Sequence, residues 1–228
     1  MVGSAVAALP AHLVQRATSS PAPPGIEGVI NPVAFGADPT GRKDSTQAMY
    51  KAVAALLQLG QRSRSTLSSN ITDLAGAVLD LQGGEYLLSS PIMIPQFFGN
   101  FYITGGTLRA SSAFPADGYL VTIGATGCHP DYAASCNEFI GLSNLLLDSN
   151  HKAAGAINII SAMGVTVGPG VFVERFAKIG IKVDGGHETM VHETWLVETY
   201  WNNLPPEANQ PSARVHLDGC DGSASQKW

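Results

Sequence analysis

Residues 157–176, INIISAMGVTVGPGVFVERF, can be laid over residues 181–200, IKVDGGHETMVHETWLVETY, by a shift of 24 positions. Ile157 then meets Ile181, Val167 meets Val191, Phe172 meets Leu196, Val173 meets Val197 and Glu174 meets Glu198. A shift of 26 lays LLLD (145–148) over VFVE (171–174), and a shift of 39 lays ITGGTLR (103–109) over LSNLLLD (142–148). The excess of 39 over 24 is 15 residues, the length of the segment GATGCHPDYAASCNE. A short period made of β-type runs and Gly turns is the sequence mark of a solenoid. Successive coils stack ~4.8 Å apart, and side chains that point inward fill one continuous core.

Composition agrees with such a coil. Charged residues are 14% of the chain, against about 25% in average domains, and helical bundles and coiled coils lean on more. The 25 Gly and 14 Pro supply turns. A hydrophobic content of 45% is too high for a disordered chain. A formal net charge of −5 argues against a nucleic-acid surface or an anionic membrane as partner. No run reaches the ~18 apolar residues of a membrane helix. The start, MVGSAVAALPAHL, resembles the end of a secretion signal with a small-residue cleavage site, but lacks the basic n-region, so the signal is incomplete.

Three regions are expected: a disordered residual signal and linker over 1–28, a partial β-helix over 29–200, and an irregular, non-repeating tail over 201–228. Val29 to Phe35 is expected to be an edge strand interrupted by Pro32. Asp44 can cap a helix over 45–59, with Gln47 in the capping-box position and Gly60 as a stop. Ala48, Ala52, Ala55, Leu56 and Leu59 share one face of it, which suits a lid on the open end of a coil. Strands are expected at 77–81, 91–95, 100–106, 119–124, 139–148, 155–160, 164–176, 180–186 and 190–198. Cys128 and Cys136 bracket HPDYAAS and could close a small disulfide loop outside the cell, leaving Cys220 over.

NPVAFGADPTGRKDSTQAMYKAV resembles the opening motif of the pectate-lyase-like, right-handed parallel β-helix superfamily, including its rhamnogalacturonase- and epimerase-like members. LDLQGGEYLLSSPIMIP, ITGGTLRASSAFP, LLLDSNHKAAGAI and GIKVDGGHET are similar to plant QUARTET-type polygalacturonases. The resemblance covers roughly 29–200. It implies an all-β, single-stranded parallel β-helix with an N-terminal capping helix. It also implies a secreted, cell-wall, pectin-degrading hydrolase acting on α-1,4-linked galacturonan. The polygalacturonase strings N-T-D, D-D, G-H-G and R-I-K do not occur, and DGGH is a partial echo of them. Such a family continues through further coils, so the chain reads as a truncated or alternatively spliced product.

Site candidates come from the coils. In GIKVDGG, Ile181 and Val183 alternate inward, so Lys182 and Asp184 point out. Gly185 and Gly186 leave room for a substrate, and His187 follows in the turn. An outward acid beside a His suits general acid/base work on a sugar. Asp148, Glu174 and Glu198 align as an acid ladder on successive coils, with Asp148 its best member. Two carboxylates flanking a glycosidic bond are what hydrolysis requires, roughly 6.5–9.5 Å apart in inverting enzymes. Asp184, His187 and Asp148 are therefore the catalytic candidates. Lys182, Arg109 and Arg175 are candidate contacts for a uronate carboxylate.

His187 and His192 are five positions apart, so HETMVHE does not meet H-E-x-x-H, and no metal site is expected. No cofactor is expected either. A pectate lyase, with Arg109 or Arg175 as base and Ca²⁺ on the acid ladder, is one alternative. A non-catalytic remnant that binds polyuronate is the other. The expected partner is a polysaccharide, and the expected state a monomer.

Overall fold

The computed structural model describes residues 28–63, 65–67, 70–126 and 135–197, together with the backbone of 215–220 and 225–226. The expectations for residues 1–27, for Cys128 and for Glu198 lie outside the described residues. The fold is a parallel β-helix: every pairing between its strands is parallel, and each strand pairs with its counterpart one coil away.

Three long columns of paired residues form its core. One runs Leu79, Ile103, Leu142, Val167 and Val191. A second runs Tyr86, Leu108, Leu147, Val173 and Leu196. The third runs Ile94, Ile123, Ile159 and Val183. Apart from the last coil, these side chains are fully buried. Stacked branched aliphatics fit here because a strand presents alternate residues to one side, so each coil contributes the same inward positions. Truncating one, as in Leu147→Ala, would cost about 2–5 kcal/mol.

The repeat offset is 24 in two columns, where Val167 pairs Val191 and Ile157 pairs Ile181. In the column between them it is 23: Phe172 pairs Trp195, Val173 pairs Leu196 and Glu174 pairs Val197. The uniform shift of 24 is therefore one residue out over 171–174. The cause is the corner. Three residues, Gly168 to Gly170, separate Val167 from Val171, whereas His192 and Glu193 alone separate Val191 from Thr194.

The lid is a helix over Thr46–Ser63. Asp44 accepts from the Thr46 backbone N–H at 2.9 Å, which starts it. Ala48, Met49, Ala52, Val53 and Leu56 are buried against the first coil. Gly60 does not stop the helix. A Cβ there would lie 2.5 Å from Thr72 Cγ2, so the close approach of helix and strand at Gly60 leaves no room for a side chain. Asn31, Pro32 and Val33 also differ from expectation. The edge strand is Val29–Ile30 only, and Pro32–Phe35 is a 3-10 turn whose Val33 N–H is capped by Asn31.

Several of the described strands were not legible in the sequence. Glu85–Leu88 pairs with 107–110. In the tail, where no strand was expected, Val215–Cys220 pairs with 181–186 and Ser225–Gln226 pairs with Met190–Val191. The coil thus continues past Tyr200 in register.

Candidate functional site

The strand Ile181–His187 carries the first candidates. Ile181 and Val183 are fully buried, and Lys182 and Asp184 face out as the alternation requires. Lys182 Nζ donates to Asp184 Oδ2 at 2.9 Å, with their side chains 28% and 40% exposed. The chain then bends at Gly185, whose φ of +64° is left-handed. Gly186 sits on the preceding coil so closely that a Cβ would run into the Ala162 carbonyl oxygen. These two glycines are thus needed by the bend and the stacking themselves. His187 lies beyond the bend, in the strand and paired with Met163.

The coil above and the coil below extend this ledge. Lys182 is flanked by Asn158, and Asn158 by Thr122, so three outward polar residues form a row. Asn158 Oδ1 is buried and has no hydrogen-bond partner among the described residues. Tyr119 is the first residue of the strand that carries Thr122. Burial pushes its hydroxyl pKa up, and the nearby Lys182 ammonium opposes that. On the other side, the backbone of 215–220 places His216 opposite Lys182 and Asp218 opposite Asp184. The motif VHLDGC therefore repeats IKVDGG position for position, at an offset of 34. Sequence reasoning missed Thr122, Asn158, His216 and Asp218. The signal for Asn158 was its spacing of 24 from Lys182, and the signal for Asp218 was the shared D-G after alternating apolar residues.

The acid ladder is arranged differently. Asp148 pairs with Glu174 in register, but the next residue in that column is Val197. Asp148 occupies an outward position and is nonetheless fully buried. Two guanidiniums from neighbouring coils cover it. Arg109 Nε donates to Oδ2 at 2.7 Å, Arg175 Nε donates to Oδ1 at 2.8 Å, and Arg175 Nη2 also donates to Oδ2. The Asn150 backbone N–H donates to Oδ1 at 2.8 Å. Arg109 is held on its other side by Glu85. Asp148, Arg109 and Arg175 thus form one ion network with Glu85 and Glu174, apart from the column that carries Lys182 and Asp184. The sequence-level candidates are brought together in two groups and not in one.

No group of three or more His, Cys, Asp or Glu able to hold a metal occurs among the described residues. No described helix is long and apolar enough to cross a membrane. Cys136 is disulfide-bonded.

The coil, with the polar ledge on its outer face, is a parallel β-helix. Comparison with known proteins narrows this. The chain is 39% identical over 199 residues to polygalacturonase QRT3 of Arabidopsis thaliana, a match spanning 83% of this chain and 40% of that protein. It is a homologue of that polygalacturonase and spans about two fifths of its length. No protein-family model matches the chain. Among solved structures, a provisionally assigned glycosyl hydrolase of Parabacteroides merdae superposes with a TM-score of 0.57 at 14% identity, over 87% of this chain and 83% of that one. PfbA, a surface adhesin of Streptococcus pneumoniae, superposes with a TM-score of 0.53 at 14% identity, over 84% of this chain and 48% of that one. At such identities these two support the fold alone.

Proposed function

We propose that the chain works as a polygalacturonase-like glycoside hydrolase on pectic galacturonan, with its site on the ledge of Lys182 and Asp184. The observation that carries this reading is the register of Asp184 with Asp218, alongside the likeness to a plant polygalacturonase. Register partners on neighbouring coils lie ~4.8 Å apart at the backbone, which sets two acidic residues side by side on the ledge. Hydrolysis asks one acid to be protonated and the other ionised. The protonated one can donate to the glycosidic oxygen, and the ionised one can take a proton from the attacking water. Direct displacement requires roughly 6.5–9.5 Å between carboxylates.

Lys182 supplies positive charge for a uronate carboxylate. His187, beyond the Gly185 bend, is proposed as an acid/base partner at the end of the ledge. Asp148 is proposed as a positioning residue, because both its oxygens are committed to guanidiniums. That commitment also counts against the lyase alternative, since neither Arg109 nor Arg175 is left as a base for a C5 proton. No cofactor is required by this chemistry.

A secreted, cell-wall setting follows as part of the same proposal. It is supported by the disulfide at Cys136, which suits an oxidising compartment. The substrate is the expected partner and a monomer the expected state.

Incubation with polygalacturonate distinguishes the readings. Hydrolysis releases reducing ends without the ultraviolet absorbance of an unsaturated uronate. A lyase produces both signals, and a binding remnant produces neither.

A further inference from the structure

On the outer face of a different column lies a groove of about 380 Å³, within the range of small-molecule sites. Its walls are Tyr102 and Phe139, which are 46% and 50% exposed. Each ring packs its edge against a glycine of the next coil. A Cβ on Gly141 would run into Tyr102 Cδ1, and a Cβ on Gly164 would lie 2.7 Å from Phe139 Cδ1. Backed by glycine along one edge and about half exposed, each ring offers apolar surface to the groove. Ser143 and Thr166 add hydroxyl groups, and no residue of the lining carries a charge.

Folding alone does not account for these two aromatics. Phe139 sits at a left-handed bend, φ +53°, where the same corner one coil away has Asn100 or Gly164. A bulky side chain is disfavoured in that conformation, and a half-exposed ring recovers little from burial. Strained backbone that packing does not reward is a mark of a functional position.

We propose that this groove binds an uncharged pyranose ring, its C–H face stacked on Tyr102 and Phe139. Flat aromatic faces with a few hydroxyls suit a sugar, which presents an apolar face and a polar rim. The absence of charge selects among sugars: a free uronate would lose the solvation of its carboxylate and gain no cation in exchange. The Lys182 ledge has the opposite character. The groove is therefore a second carbohydrate site, for neutral sugars or methyl-esterified uronates, and it stands whether or not the ledge hydrolyses its substrate.

The test is calorimetric titration of the full chain with three probes: a fully methyl-esterified oligogalacturonide, its de-esterified form, and a neutral galacto-oligosaccharide. Tyr102→Ala and Phe139→Ala should each weaken binding of the two neutral probes at least tenfold and leave the de-esterified one unchanged. Tyr102→Leu, which keeps apolar bulk without a π face, should behave like Tyr102→Ala, and so keeps the test valid if the alanine variant folds poorly. Gly141→Val should also weaken binding, by lifting the Tyr102 ring. Neutral probes bound as tightly by all variants as by the parent would overturn the proposal. So would equal loss for the charged probe. Self-association abolished by Tyr102→Ala, with no sugar bound, would assign the groove to a second copy and overturn it too.

Discussion

Asp184 lies opposite Asp218 on the neighbouring coil, in a register that also sets Lys182 opposite His216 and Gly186 opposite Cys220. The tail of the chain thus contributes a copy of the ledge motif. The ledge proposed from one acid and one histidine thereby gains a second acidic residue in backbone register. Asp218→Asn is expected to lower hydrolysis as much as Asp184→Asn does. Loss of a general acid or base is worth about 10²–10⁴-fold. Initial rates of reducing-end release measure it, with near-parent activity of Asp218→Asn counting against the pair.

Asp148→Asn should act on stability first. It removes the charge shared by Arg109 and Arg175 and leaves two guanidiniums facing each other. Breaking a buried pair costs about 3–5 kcal/mol. The arginines here are about one third exposed, so about 2–3 kcal/mol is expected after allowing for solvent screening. Urea unfolding followed by circular dichroism would show it as a lower midpoint with an unchanged slope. Replacing Arg109 alone should cost less, because Arg175 remains on Asp148.

Acid should loosen the N-terminal end of the coil. Asp38 is held below the ordinary carboxylate range by the hydroxyl and backbone N–H of Thr40, and by the backbone N–H groups of Lys43 and Arg42, against a small opposing cost of burial. Burial acts to raise Asp44, but hydrogen bonds from Ser89 and Thr46 outweigh it and bring it down. Asp73 is lowered first by the Ala75 backbone N–H. Groups with depressed folded-state values stabilise the fold above the unfolded value of about 3.9. That contribution is lost as pH falls through and below it. The thermal midpoint should therefore drop on acidification below about pH 4. Asp38→Asn should flatten that drop, whereas an unchanged profile would show that these turns do not set acid stability.

Gly60→Val tests the lid. The added atoms meet Thr72 Cγ2 and Leu74 Cδ2, so helix and first coil must part. A loss of about 1–3 kcal/mol is expected from overpacking. Amide exchange should rise in Thr46–Ser63 before it rises in the stacked columns.

The coil was readable from residues because stacking forces the same inward positions to recur, as with Ile157 and Ile181 or Val167 and Val191. Corner length was not readable. The corner 168–170 and its two-residue counterpart 192–193 look alike in a string, yet they shift Glu174 from Glu198 to Val197. The burial of Asp148 was hidden for another reason: Arg109 and Arg175 are distant in sequence and meet it only when coils stack. Glu85–Leu88 escaped because four residues alternate too briefly to stand out. The tail strand escaped because ten extra residues separate it from the expected offset of 24, which hid the likeness of VHLDGC to IKVDGG.

The central claim is that the ledge at Asp184 hydrolyses galacturonan. Reducing-end release from polygalacturonate by the parent chain and by Asp184→Asn, at matched thermal stability, tests it most directly. The expected result is steady release by the parent, without unsaturated products, and at least a hundredfold loss in the variant. Full activity in Asp184→Asn, or release from the parent accompanied by unsaturated uronate, would contradict it.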